Sequence, residues 1–164
     1  MTEAISPQVL SQLISSIYDC ALEPNRWDRT LSELRDAFGS ETAQLGLMDL
    51  RRGRMLINRN VGMEPSILEV QARHVPEMSA IVRKFFGQNS LDEPHVFSRH
   101  IGPDELKTSL YLQFALRAGF VDMMTYTLLS EPAHYSGFGV GRLKRQGILT
   151  ERDIELGPIR YHAL

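Results

Sequence analysis

Five histidines, one cysteine, a glycine-rich strand and a crowd of aromatic side chains are the residues here whose types could do chemistry. His74, His95, His100, His134 and His162 include no pair placed one helical turn apart, the spacing that two ligands of one metal ion need on a helix. His95 and His100 share a segment with Asp92 and Glu93, which reads as a solvated loop rather than a metal site. Cys20 lies near the end of an amphipathic helix, where the helix dipole disfavours a thiolate, so it reads as a packing residue and not a nucleophile. Gly137-Phe138-Gly139-Val140-Gly141 lacks the G-x-G-x-x-G spacing and sits inside a hairpin strand, so it is not a phosphate-binding turn from strand to helix. No P-loop and no G-x-S-x-G elbow occurs. Asp104 and Glu105 point to different faces of a helix and read as first-turn residues. Arg142, Lys144 and Arg145 form a basic group with no aromatic platform for single-stranded nucleic acid. The expectation is therefore a protein that is not an enzyme, with no catalytic residue, no metal and no cofactor.

The positive signal is a concentration of aromatics and methionines in the second half. Aromatics with polar tips and adaptable methionines suit the lining of a mostly apolar pocket. The candidate ligand-binding set is Phe86, Phe97, Tyr111, Phe114, Met124, Tyr126 and Phe138. Tyr111 and Tyr126 are its polar handles, because a buried hydroxyl needs a partner. The occupant would be a small apolar or amphipathic molecule. An ordinary filled core is the competing reading of the same residues.

These residues sit in a chain of 164 residues with 43% hydrophobic content, a length that suits one domain. Lys and Arg total 18 against 20 for Asp and Glu, a formal charge of −2. A general polyanion binder needs a basic face and is excluded by that balance. A lone cysteine forms no internal disulfide and fits a reducing compartment. No apolar run approaches the ~20 residues that span a bilayer. The start Met1-Thr2-Glu3-Ala4 lacks the basic and apolar regions of a signal peptide, so the expected location is the cytoplasm, with no membrane partner.

The elements that must position the candidate residues follow from period and punctuation. Ser6-Pro7 opens a helix with an apolar face of Leu10, Leu13, Ile14, Ile17 and Ala21, which Pro24 ends. Asn25 is the expected cap of a second helix carrying Trp27, Leu31, Leu34 and Phe38, and Gly39 terminates it. Ala43 to Leu50 and Met55 to Val61 read as strands around the turn Arg51-Arg52-Gly53-Arg54. Helices follow from about Glu64 and again after Pro76, and His95 to Ser98 reads as a short strand. Two further helices precede the strand Val121 to Ser130, which turns into Tyr135 to Leu143. In that last strand Phe138 and Val140 share one face, and Gly137, Gly139 and Gly141 make the other one flat. Thr150-Glu151-Arg152-Asp153 starts a final helix. The class is α+β, an antiparallel sheet with helices set against it. The expected division is a helical hairpin (1–40), a sheet with inserted helices (42–149) and a terminal helix (150–164).

Three stretches resemble a known family. Leu13-Ile14, Ile17-Tyr18-Asp19, Ala21-Leu22, Pro24 and Trp27 resemble the opening of the sensory region of LuxR-type helix-turn-helix regulators. Tyr111, Phe114 and Gly119 keep that group's spacing before the central strand. The segment from Thr150-Glu151-Arg152-Asp153 through Pro158, Ala163 and Leu164 is similar to the connector that leads to the DNA-binding helices. The resemblance implies a PAS- or GAF-like sensory domain of a bacterial transcription factor, usually a homodimer, which passes a signal through its terminal helix. DNA would be met only through a helix-turn-helix domain that this chain does not contain. Acyl-homoserine-lactone sensors of the group carry a pocket Trp and Tyr and a later Asp-Pro. Here Trp27 sits on the second helix and no Asp-Pro occurs, so that ligand is disfavoured. Two other readings stay open: a ligand-free dimerisation and interaction module, and a stand-alone enzyme, which lacks a nucleophile–base pair.

Overall fold

The computed structural model describes residues 5–85 and 93–155. One five-stranded antiparallel sheet organises the chain, in the order β2-β1-β5-β4-β3. Its strands are β1 (Thr42–Asp49), β2 (Arg54–Val61), β3 (His95–Val96), β4 (Phe120–Ser130) and β5 (His134–Leu143). Two hairpins, β1–β2 and β4–β5, lie side by side because β1 pairs with β5 from Thr42 opposite Gly141 to Asp49 opposite His134.

Helices α1 (Pro7–Leu22) and α2 (Trp27–Ala37) cover one face of the sheet. Ser6 accepts a hydrogen bond from the Val9 N–H, and Pro7 takes the first helical position, where no N–H is needed. Asn25 does not cap α2. It falls within a tight 3-10 turn, Pro24–Arg26, that runs directly into the helix. Gly39 adopts φ 58° beyond the end of α2, a left-handed conformation that releases the chain toward β1. Leu13, Leu31, Leu34 and Phe38 pack onto Ala43, Met124, Tyr126, Phe138 and Val140. The Phe38 ring meets Tyr126 and Phe138 at centroid distances of 6.0 and 5.9 Å. Of the expected α1 face only Leu13 is buried, together with Cys20, whose thiol donates to Thr30 Oγ1 at 3.2 Å. Ile14, Tyr18 and Leu22 stay exposed at successive four-residue steps.

The other face carries α3 (Pro65–Arg73), α4 (Val75–Phe85) and α7 (Leu110–Arg117). Short helices α5 (Phe97–His100) and α6 (Pro103–Thr108) link β3 to α7. His95 to Ser98 is thus a two-residue strand followed by a helical turn rather than one strand. His95 is not solvated: it is buried in β3, its ring 5.8 Å from that of His100. Of the basic group, Arg142 is buried in a pair of hydrogen bonds to Asp153, while Lys144 and Arg145 are exposed and Arg145 pairs with Glu41. Thr150 and Asp153 cap α8 (Glu151–Glu155) reciprocally, and the expected continuation of that helix to Leu164 lies outside the described residues.

Candidate ligand cavities on the glycine face

Strand alternation decides which side chains can meet a ligand. Even-numbered Met124, Tyr126, Phe138 and Val140 point into the core beneath α1 and α2. Odd-numbered Met123, Thr125, Tyr135, Gly137 and Gly139 point to the opposite face. There they line a cleft of about 500 Å³, including the part open to solvent, closed above by Met78 and Val82 of α4. Gln44, Gly46, Met48 and Met55 complete it from the β1–β2 hairpin.

A second cavity of about 460 Å³ lies between α3, α5, α7 and β4. It is lined by Met63, Ile67 and Gln71, by Phe97, and by Tyr111, Leu112, Ala115 and Leu116, with Phe120 and Met123 below. Phe120 reaches this face because a β-bulge between Phe120 and Asp122 reverses the alternation of β4. Its ring lies over Gly141, where a Cβ would come within 2.4 Å of it, so only glycine admits the ring there.

Met123 borders both cavities. So does a buried amide pair: Gln44 Nε2 donates to Gln71 Oε1 at 3.3 Å, and Gln71 Nε2 donates back at 3.4 Å. Gln71 Nε2 also donates to Tyr111 Oη at 3.0 Å. Burial pushes the Tyr111 phenol up, and the bond from Gln71 opposes that shift. Among the described residues, none that lines either cavity is charged.

The expected site residues are divided by this geometry. Phe97 and Tyr111 line the second cavity. Met124, Tyr126 and Phe138 lie across the sheet in the core, away from both cavities. Burial pushes the Tyr126 phenol up to about 12, and its hydroxyl donates to Met124 Sδ at 3.8 Å. Phe114 is half-buried on α7 and outside both linings, and Phe86 lies outside the described residues. Grouping by aromatic type set aside the alternation that the three glycines advertise. Gln44, Gln71, Met123 and Thr125 were missed, although their parity with Gly137 and Gly139 was a usable signal for the two on β4.

The cavities adjoin the start of the terminal helix. The Asp122 carboxylate is fully buried and accepts four bonds: Ser98 N–H (3.0 Å), Ser98 Oγ (2.8 Å), Met123 N–H (2.9 Å) and Leu149 N–H (2.9 Å). Arg99, one residue on, pairs with Glu151 of α8.

No protein-family model matches the chain, and no curated protein matches it in sequence. Among solved structures it is similar to the ligand-binding domain of VqsR from Pseudomonas aeruginosa, with TM-score 0.59, 11% identity, and 90% of this chain and 85% of that one covered. It is also similar to CepR2 from Burkholderia cenocepacia, an N-acylhomoserine-lactone-dependent LuxR-family factor, with TM-score 0.58, 16% identity, and 90% and 85% coverage. The fold is that of LuxR-type ligand-binding domains. A GAF domain from a Coxiella burnetii phosphotransferase superposes with TM-score 0.45 and 11% identity over 90% of this chain and 84% of that one.

Replacing Tyr111 by Phe removes the shortest bond of the buried Gln71 amide and leaves it the longer one to Gln44. Chemical denaturation of Tyr111→Phe should show a loss of about 1–2 kcal/mol with an unchanged m-value.

Proposed function

We propose that this chain is the signal-sensing domain of a bacterial transcription factor. A small molecule enters the cavities on the glycine face, and its presence is relayed through the terminal helix to a DNA-binding domain not in this chain. The observation that carries the reading is the position of Met123. Its side chain borders both cavities, and its N–H donates to the carboxylate that also holds Leu149, at the threshold of α8. Phe97 supports the same route, being a cavity residue directly followed by Ser98, bound to Asp122, and Arg99, bound to α8. A ligand acts through this junction only if it prefers one arrangement of it, since equal affinity for two arrangements moves nothing. We read the cavities as binding rather than catalytic, because no lining residue among those described carries a carboxylate, imidazole, thiol or amine. CepR2 is described as N-acylhomoserine-lactone dependent. In this chain the absence of an Asp-Pro and the place of Trp27 on α2 argue for a different ligand.

A second reading, a dimerisation module, is favoured by the exposed stripe Ile14, Tyr18 and Leu22 on α1. Asp19 is the only charged residue of that helix, and Arg26 pairs with it at 3.0 Å, so two copies can face each other without like-charge repulsion. The two readings are compatible, because a homodimer brings two terminal helices together.

Reading the gene beyond the Leu164 codon tests the relay. The proposal expects two short helices with a basic recognition helix, and a stop codon there overturns transfer to an attached DNA-binding domain. For the α1 surface, sedimentation equilibrium should show a concentration-dependent dimer that Ile14→Glu with Leu22→Glu dissociates. A monomer at every concentration removes the second reading.

A further inference from the structure

Four features of the cleft over β5 specify what fits it. All its lining side chains among the described residues are uncharged, so a charged occupant would leave water with no counter-charge among them to meet it. Its floor is backbone: Gly46 lies opposite Gly137 in the β1–β5 register, and Gly139 follows on the same face. Such a floor is flat and accepts a flat molecule at close range. Its walls carry Met48, Met55, Met78 and Met123. Met123 Sδ lies 3.2 Å from the point where a Cβ on Gly139 would stand, and Met55 Sδ lies 3.7 Å from that of Gly46, so flexible thioethers cover those two glycines, while Tyr135 Oη (3.1 Å) and Thr125 Cγ2 (3.2 Å) cover Gly137. Thioethers make favourable contacts at the edges of aromatic rings and repack easily when displaced. The fourth feature is Thr125. Its side chain is buried, its Oγ1 has no hydrogen-bond partner among the described residues, and that oxygen lies 3.3 Å from the same point above Gly139. A buried hydroxyl without a partner is costly in an empty cleft and is relieved by an occupant that bonds to it.

We propose that this cleft binds a neutral, planar aromatic or heteroaromatic ring. The ring displaces the thioethers that cover Gly46 and Gly139 and lies beside the Tyr135 side chain that covers Gly137, and its hydroxyl, carbonyl or ring nitrogen bonds to Thr125 Oγ1. The inference rests on the sensory reading and names the chemical class of its ligand. A flexible aliphatic chain gains nothing from a flat floor, and an anion finds no cation among the lining residues.

The test titrates the folded chain with three probes while following the methyl resonances of labelled methionines. The probes are 2-naphthol, planar and neutral, decahydro-2-naphthol, neutral but not planar, and 2-naphthoate, planar but anionic. The expected result is saturable binding of 2-naphthol that shifts Met55 and Met123, with the other two at least tenfold weaker. Thr125→Val should weaken 2-naphthol about tenfold and, by removing an unpaired buried hydroxyl, raise the thermal midpoint by about 2–4 °C. A merely structural Thr125 would not move affinity and stability in opposite directions. Equal binding of decahydro-2-naphthol or 2-naphthoate at these methionines overturns the ligand class while the sensory reading stands. Failure of 2-naphthol to bind, or full affinity in Thr125→Val, overturns the inference too, and the sensory reading is judged separately by the gene beyond Leu164.

Discussion

A carboxylate removed from water must have its oxygens filled by donors, and the fold on this side of the sheet is arranged around one that is. Asp122 has no solvent exposure and accepts from Ser98, Met123 and Leu149. Losing any one donor would leave a buried side-chain oxygen under-satisfied in a low-dielectric interior, so α5, β4 and the entry to α8 are held as a unit. The bulge that precedes Asp122 belongs to the same arrangement. It turns Phe120 to the cavity side, while the regular alternation that follows sets Asp122 toward Leu149 and Met123 toward the cavities.

The two faces of the sheet are built for different ends. Beneath α1 and α2, Phe38, Tyr126 and Phe138 interlock as rings with defined contacts, and Leu31 has no exposed surface. Packing of that kind resists change. Across the sheet, glycines leave space, methionines fill part of it, and a hydrogen-bonded glutamine pair joins the linings of two cavities. Thioethers tolerate rearrangement at low cost. Rigidity on one face and adaptability on the other suit a domain that must stay folded while its occupancy changes.

Much of this was legible in the sequence, for physical reasons. Ser6-Pro7 marked the start of α1, Gly39 the end of α2, and the β4–β5 hairpin followed from β-branched and aromatic runs around a polar turn. The antiparallel α+β class came from the order of those elements. The site was less legible. Aromatic residue type suggested one pocket, whereas parity sends Met124, Tyr126 and Phe138 to the opposite face from Gly137 and Gly139. The flat glycine face was visible, but a backbone approached by helices and a cleft lined by methionines have the same local sequence. Gln44 and Gln71 are 27 residues apart, and no local pattern announces that their amides meet. The burial of His95 is likewise set by β3 pairing with β4, a long-range contact that a two-residue strand cannot signal.

Gly139 allows coupling between the cavities and the terminal helix to be tested without a ligand. A methyl group at Gly139 would stand 3.2 Å from Met123 Sδ and must displace it, whereas one at Gly46 would meet nothing closer than 3.7 Å. The decisive measurement is amide hydrogen exchange at Ser98, Met123 and Leu149 in Gly139→Ala and Gly46→Ala. The account predicts faster exchange at Leu149 in Gly139→Ala, with Gly46→Ala matching the parent chain. Unchanged exchange at Leu149 in Gly139→Ala, with Met123 displaced, would contradict it.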